Sequence, residues 1–571
     1  MRIEQRPLPA VLPDLGDLPP LLTRIYAARG VANAAELEKG LARLLPTHLL
    51  KGMDAAVQLL TQALEQRQRI LIVGDFDADG ATASCVGVLG LRMLGAAHVD
   101  YLVPNRFDYG YGLTPEIVAV ALERQPDLLV TVDNGISSLE GVAAAQAAGL
   151  KVLVTDHHLP GAELPTADAI VNPNQPGCEF PSKALAGVGV MFYVLLALRA
   201  HLRSNGWFAQ QNIQEPNLAE LLDLVALGSV ADVVPLDANN RILVHQGLAR
   251  IRAGRARPGL QAILDVARRD HRRLVSTDLG FIVGPRLNAA GRLDDISLGI
   301  ECLLCEDADG ALQRAQQLEQ LNQDRKQIEQ GMQREALVQL KDLPLDNLPF
   351  GLCLFEPEWH QGVIGILASR MKERYHRPVI AFADAGAGQL KGSARSIPGL
   401  HIRDALDAVA ARFPELISKF GGHAMAAGLT LQAVHYEAFA KAFDAEVRRQ
   451  LTADDLTGRI YSDGCLAANE FDMQLAQQLR HAGPWGQRFP EPLFHGDFKI
   501  ISQRLVGEKH LKLVLQSAQN APALDAIAFN IDLDVWPNPT IGHAQVAYTL
   551  DINEFRGNQS LQLMVSSISP R

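Results

Sequence analysis

Three aspartates spaced two apart, Asp75, Asp77 and Asp79 in VGDFDADG, follow an apolar run and precede Gly80. Carboxylates this close repel one another unless a cation neutralises them, so the spacing points to metal binding. An EF-hand loop opens with the same spacing. Its twelfth position, where calcium needs a bidentate Glu, is Val86 here, and the segment before it reads as a strand rather than a helix. Further candidates are Asp133 in VTVDNG, Asp156, His157 and His158 in VTDHH, and Asp232 in ALGSVADVVPL. Carboxylates mixed with imidazole suit Mn or Mg better than a structural zinc site, which would usually use thiolates. Two such ions about 3.5–4 Å apart lower the pKa of a shared water and stabilise the attacking and leaving oxygens of an in-line displacement at phosphorus. The chemistry expected is hydrolysis of a phosphodiester.

The elements that must carry these residues alternate between strand and helix. RILIVG, a helix from Asp79 to Leu94, VDYLVP, a helix after Thr114, DLLVTVD, a helix near Val142 to Ala148 and KVLVTDHH predict parallel βαβ units. In such sheets ligands sit beyond the carboxyl ends of the strands, where Asp75, Asp133 and Asp156 stand. A polar, Gln-rich segment from Asp309 to Leu340 predicts one long connecting helix. A second α/β unit begins at FGLCLF and ends near Gln450, and FKIISQRL, HLKLVLQ, DAIAFNI, AQVAYTLDI and SLQLMVSSI predict a small all-β barrel. The domain expectation is an N-terminal extension over 1–50, a first α/β domain over 51–308, a connecting helix and linker over 309–344, a second α/β domain over 345–455 and the β-domain over 456–571.

A hydrophobic content of 48% and 20% charged residues are ordinary for a globular chain that buries large cores. The N-terminus shows no basic segment followed by an apolar run, and no stretch reaches the roughly 18 apolar residues of a membrane span, so a cytoplasmic protein is expected. Six cysteines are too sparse for a disulfide framework, and the lone C-x-x-C of Cys302 and Cys305 lacks a second ligand pair, so they read as core thiols. The formal charge of −11 argues against a generic nucleic-acid coat. Between Arg250 and Arg292, however, ten Arg stand against three Asp, which leaves +7 in that window. One basic band beside a carboxylate cluster fits a phosphate track next to a metal site, and fits a solvated helix face equally well.

In this order, VGDFDADG, VDNG, DHH and ADVVP resemble the motif series of the DHH phosphoesterases. FEPEWHQGVIGILASR, KGSARSIPGLHI and KFGGHAMAAGL resemble the family's DHHA1 domain, while GPRLNAAGRL and GPWGQRFPEP are similar to segments of its single-strand-specific DNA exonucleases. The match covers roughly residues 50 to 571. It implies an α/β protein with a DHH parallel-sheet domain, a long helix, a smaller α/β DHHA1 domain and a C-terminal OB-fold. It further implies that Asp77, Asp79, Asp133, His157 and Asp232 hold two ions, Mn2+ or Mg2+, with Asp133 bridging and Asp75 a further ligand. His158 would contact the scissile phosphate, making Asp133 and His158 the catalytic pair. Arg286, Asn288 and Arg292 would hold the DNA backbone, His423 would donate to a phosphate, and Ser393 with Arg395, across the cleft from the metals, would grip a terminal 5′-phosphate assisted by Arg106. The activity implied is 5′-to-3′ exonuclease action on single-stranded DNA, releasing 5′-mononucleotides in recombination and repair. The partners implied are single-stranded DNA, the single-strand-binding protein and a RecQ-type helicase, with the chain a monomer. Two rivals are a DHH hydrolase of oligoribonucleotides or cyclic dinucleotides, which the extra β-domain argues against, and a non-catalytic replication scaffold, which the intact ligand motifs argue against.

Overall fold

A computed structural model of the chain describes residues 2–571 except 105–111, 341–347, 518–520, 534 and 556. It divides into two compact units, one of residues 5–319 with 461–571 and one of residues 1–4 with 320–460.

The first unit is built on five parallel strands, β1 Arg69–Val73, β2 His98–Leu102, β3 Leu128–Val132, β4 Lys151–Thr155 and β5 Ala169–Val171. Runs such as RILIV and LLVTV are rich in β-branched residues and bury all or all but one of their positions, as a sheet covered on both faces requires. Its strand order is β2-β1-β3-β4-β5. The order reverses between β1 and β3, and this is where an open α/β sheet leaves a crevice at its carboxyl edge. Asp75 follows β1 and Asp133 follows β3, so the topology delivers both to that crevice.

Three helices connect the strands: α1 Ala78–Met93, α2 Pro115–Leu122 and α3 Leu139–Ala147. Asp77 caps α1, its side chain accepting from the backbone N–H groups of Asp79 and Gly80, which fixes the chain entry at the rim. The helix is apolar nearly all round and packs against α4 Gly187–Ser204 and α5 Leu222–Ala231, the pattern of a helix inside a large core. Next comes α6 Gly284–Leu293, entered through a π-turn over Leu279–Val283. The long helix predicted from Asp309 is α7 Ala308–Leu340, and the division between the units falls within it.

In the second unit a five-stranded sheet has the order β9-β10-β8-β7-β6, where β6 is Leu352–Phe355, β7 Val379–Gly386, β8 Gln389–Arg395, β9 Lys419–Gly422 and β10 Ala426–Gln432. The β6–β7 pair is parallel and the others antiparallel. Three helices accompany it: α8 Ile364–Tyr375, α9 Ile402–Arg412 and α10 Tyr436–Gln450. Phe382, Phe439 and Phe443 fill its core.

The C-terminal part of the first unit is a closed barrel of order β11-β12-β13-β15-β14, with β11 Phe494–Val506, β12 His510–Gln516, β13 Leu524–Ala528, β14 His543–Phe555 and β15 Asn558–Pro570. β11 pairs with both β12 and β14, and the β13–β15 pair is parallel. All five expected barrel strands are present. Residues 5–50, part of the extension to which the sequence reading gives no role, belong to the same unit. Their helix Pro20–Ala27 sends Tyr26 onto Trp485 and Phe489, and its hydroxyl donates to the Ala482 carbonyl.

Candidate metal centre

Six of the expected ligands meet at the carboxyl edge of the parallel sheet. One oxygen each of Asp75, Asp77 and Asp133 lie within 4.8 Å of one another, and so do ligand atoms of Asp79, His157 and Asp232. His157 Nε2 joins the two groups, lying 3.0 Å from Asp133 Oδ1, 3.5 Å from Asp232 Oδ2 and 3.9 Å from Asp79 Oδ2.

Backbone placement explains why these residues arrive together. Asp133 has φ of +63°, a conformation that costs a non-glycine residue about 1–3 kcal/mol and is kept where the surroundings hold it. Val233, directly after Asp232, has φ of +60° although it is β-branched, so the chain turns abruptly at the end of α5. Asp79 is fully inside, its Oδ2 accepting from the Gly187 N–H at 2.6 Å and its Oδ1 from the Val188 N–H at 3.0 Å. Those donors are the first free N–H groups of α4, which attract negative charge. A Cβ at Gly187 would stand 2.7 Å from Asp133 Oδ1, and one at Gly228 would stand 2.8 Å from Asp79 Oδ1. Both glycines let a helix approach a ligand carboxylate.

The electrostatics are those of a cluster short of positive charge. Burial raises the Asp79 carboxyl to about 7, reinforced by Asp77 and opposed by the N–H groups of Val188 and Gly187. Asp133 is raised well above the usual carboxylate range by burial and then by Asp79, Asp77, Asp232 and Asp75. Burial, then Asp79, Asp77 and Asp75, raise Asp232 likewise, opposed by His158. Divalent cations reverse this balance, and an all-oxygen set with one imidazole fits Mn or Mg.

Asp156, a strand-end candidate that the family resemblance does not place among the ligands, organises both histidines. Its Oδ1 accepts from the backbone N–H of His157 and of His158 and lies 2.8 Å from His158 Nδ1, while its Oδ2 accepts from the Ile136 N–H. Burial opposes a charge on His158, but the Asp156 hydrogen bond and charge prevail, with Asp232 and Asp75 adding to them, and raise it to about 9. Asn172 and Asn174 donate to the carbonyls of His158 and His157. Nothing in the spacing of these two asparagines singles them out.

Two residues of GPRLNAAGRL make hydrogen bonds within the protein. Asn288 Oδ1 accepts from the Ala78 N–H at 2.8 Å, so it steadies the start of α1. A Cβ at Gly291 would lie 2.0 Å from the Phe76 carbonyl, which shows how closely α6 rides on the aspartate loop. Arg286 is buried, its Nε 2.6 Å from Glu319 Oε2 and its guanidinium donating to the Ile282 carbonyl. Arg292 is half-buried on the last turn of α6. Other arginines of the basic band are also paired, Arg257 with Asp223, Arg272 with Asp270 and Arg273 with Glu554. Asp223, Glu319 and Glu554 come from outside the window in which the charge was counted. Gly280 of the π-turn and Gly284 at the start of α6 pack beside Val230 and Ala231, next to Asp232, and the turn exposes 77% of Phe281. Sequence reasoning missed this aromatic.

Ser393 and Arg395 lie in the second unit on β8, with Arg395 Nη1 donating to Ser393 Oγ at 3.1 Å. Burial lowers the Arg395 pKa from the usual guanidinium value. A Cβ at Gly365, in the first turn of α8, would meet Arg395 Nη2 at 2.9 Å and Ser393 Oγ at 3.0 Å, so the helix start opens onto the same pair. His423 follows β9 in a hairpin where its N–H donates to the Ala426 carbonyl, and Ala426 is the register partner of Arg395. Gly422 there has φ of +145°, with Ala427 Cα 2.5 Å from where a Cβ would be. Arg106 lies outside the described residues.

Comparison with known proteins gives three matches to family descriptions: the DHH family, N-terminal domain, over residues 69–229, the DHHA1 domain over residues 349–449 and the RecJ OB domain over residues 462–567. The single-stranded-DNA-specific exonuclease RecJ of Salmonella typhimurium is 58% identical over 556 residues, covering 97% of this chain and 96% of its own. Its counterpart in Escherichia coli gives the same identity and coverage. The crystal structure of RecJ from Thermus thermophilus in complex with Mn2+ matches with a TM-score of 0.81 at 31% identity, covering 100% of this chain and 79% of that one. Its complex with Mg2+ matches with a TM-score of 0.75 at 29% identity, covering 100% of this chain and 78% of that one.

Proposed function

Because the chain belongs to the RecJ family of DHH-domain proteins, we propose that it is a single-stranded-DNA-specific exonuclease that hydrolyses phosphodiester bonds with two Mn2+ or Mg2+ ions and releases 5′-mononucleotides from the 5′ end. The observation that carries this reading is the meeting of Asp75, Asp77, Asp79, Asp133, His157 and Asp232 on one rim. Asp75 and Asp77 would hold one ion, Asp79, His157 and Asp232 the other, and Asp133 would bridge. Bound there, divalent ions supply Lewis acidity, which lowers the pKa of a water and offsets charge gathering on the phosphoryl oxygens.

The rest of the work falls to the chain. Asp156 keeps His158 protonated and oriented, so that it donates a charge-assisted hydrogen bond to a non-bridging oxygen of the scissile phosphate. The α4 N–H groups hold Asp79 in one rotamer and pre-organise the rim. Arg292 is the backbone contact on α6, with Arg286 and Asn288 tying that helix to α7 and to the start of α1. Phe281, exposed beside the end of α5, offers a face on which a base can stack whatever its sequence. The barrel has the strand order of an OB-fold, a common single-strand-binding scaffold. Ser393, Arg395 and the start of α8 would form a pocket for a terminal 5′-phosphate, with His423 as a second donor. Such a pocket would admit the strand end first and so set the 5′-to-3′ direction.

Domain limits of 51–308, 309–344, 345–455 and 456–571 accommodate the three matched segments and belong to this proposal. A monomer acting in the cytoplasm in recombination and repair, supplied with strands by a RecQ-type helicase and single-strand-binding protein, completes it. Among the described residues no helix is long and apolar enough to cross a membrane. The test is digestion of 5′- and 3′-end-labelled single and double strands with Mn2+, Mg2+ or chelator. The expected result is metal-dependent release of the 5′ label as mononucleotide from single strands alone. Release from the 3′ end first, preference for duplex, or full activity in chelator would overturn the proposal.

A further inference from the structure

At the amino ends of the strands, opposite the aspartate rim, a hollow of about 400 Å³ is lined by Arg69, Arg92, His98 and Arg124, with Asp100 at its side and Pro126 on its floor. Arg69 opens β1, His98 opens β2 and Pro126 precedes β3, so three neighbouring strands frame it. Arg92 comes from the last turn of α1, the helix whose first turn stands at the rim. A helix of 16 residues spans about 24 Å at 1.5 Å per residue, so the two places are well apart.

The charges in the hollow do not cancel. Arg124 has a carboxylate, donating to Asp100 at 2.9 Å. The Arg69 guanidinium donates instead to Gln125 Oε1 and that of Arg92 to the Val99 carbonyl, both neutral. Asp127, just beyond the lining, accepts from the Arg69 backbone N–H. Three guanidinium groups therefore face one lining carboxylate, in a chain whose formal net charge is −11. Guanidinium forks match phosphate oxygens geometrically, and three of them line this one hollow. The volume falls in the range of small-ligand sites and is larger than a bare phosphate would need.

We propose that this hollow is a second, non-catalytic site for a phosphorylated small molecule of nucleotide size. Its phosphate is held by Arg69, Arg92 and Arg124, and its remaining body covers the floor between the strand starts. The site does not depend on the exonuclease reading, since it shares no residue with the rim.

The experiment is equilibrium dialysis of the full chain in chelator with labelled dAMP or inorganic phosphate. It compares the wild type, the double variant Arg69→Ala with Arg92→Ala, and Asp133→Ala. Wild type and Asp133→Ala are expected to bind one dAMP per chain with equal affinity, weakening as salt rises. The double variant should bind at least about tenfold more weakly, from the loss of two charge-assisted contacts, with an unchanged melting temperature because both side chains are exposed. Inorganic phosphate should bind more weakly than dAMP. Equal binding of dAMP by the double variant, loss of binding in Asp133→Ala, or no binding up to about 1 mM, an affinity worth only about 4 kcal/mol, would overturn the site. Phosphate binding as tightly as dAMP, or binding of a short single strand without dAMP binding, would overturn the ligand class.

Discussion

Asp133 and Asp463 are buried carboxylates of the same compact unit with opposite surroundings. Asp463 takes a two-pronged hydrogen bond from Arg29, at 2.7 and 2.9 Å, and accepts from the Leu493 N–H. Arg29 is itself buried, donates to the carbonyls of Ile25 and Pro490, and lies 5.3 Å from the centre of the Trp485 ring. Charge and hydrogen bonds close locally, and the pair fastens the N-terminal segment to the chain before the barrel. Asp133 is surrounded by four more aspartates, and burial together with these neighbours raises its pKa. A buried charge that is balanced contributes to the fold, whereas a cluster left unbalanced marks where a cation belongs.

Asp133→Ala breaks the contrast from the functional side. Hydrolysis of end-labelled single strands is expected to fall at least about 10³-fold, because a shared ligand is lost where charge develops. Affinity for single strands, followed by fluorescence anisotropy, should change little. Near-normal turnover at saturating Mn2+ would rule out the bridging role.

Asp463→Ala breaks it from the structural side. Leaving Arg29 buried without its counter-charge is expected to cost about 3–5 kcal/mol, read as a lowered denaturation midpoint. Activity per folded molecule should survive. A loss of activity without a loss of stability would make Asp463 part of the site.

Mn2+ should separate the two variants. At 100 times its dissociation constant a single ion stabilises the native state by about 2.7 kcal/mol, so wild type and Asp463→Ala should both melt higher with Mn2+ and Asp133→Ala much less so. A smaller effect is expected in the second unit. Arg395→Ala should lower activity on 5′-phosphorylated strands about tenfold more than on 5′-hydroxyl strands, from the loss of a charge-assisted hydrogen bond worth about 1.5–3 kcal/mol. Equal loss on both substrates would make Arg395 a general contact.

Much of the first sheet was legible because its strands are short apolar runs, three of them leading into an aspartate, and alternation with helices forces them parallel. The rim followed, since strand ends at a switch point have one place to go. The three-residue β5 was too short to show a period. Asp156 stood in view but its role did not, because whether a strand-end carboxylate faces an ion or a neighbouring histidine depends on side-chain direction. The basic band was legible as charge and misleading as a surface, since Asp223, Glu319 and Glu554 reach it from distant segments. Phe281 is exposed by a π-turn, a local change of winding that hydrophobic periodicity does not encode.

The two-ion centre bridged by Asp133 is tested most directly by the number of Mn2+ ions bound per chain, measured by calorimetric titration of chelator-stripped wild type, Asp133→Ala and Asp463→Ala. Two ions are expected for wild type and for folded Asp463→Ala, and at most one tight ion for Asp133→Ala. Two tight ions in Asp133→Ala, or none in the wild type, would contradict the bridged two-ion centre.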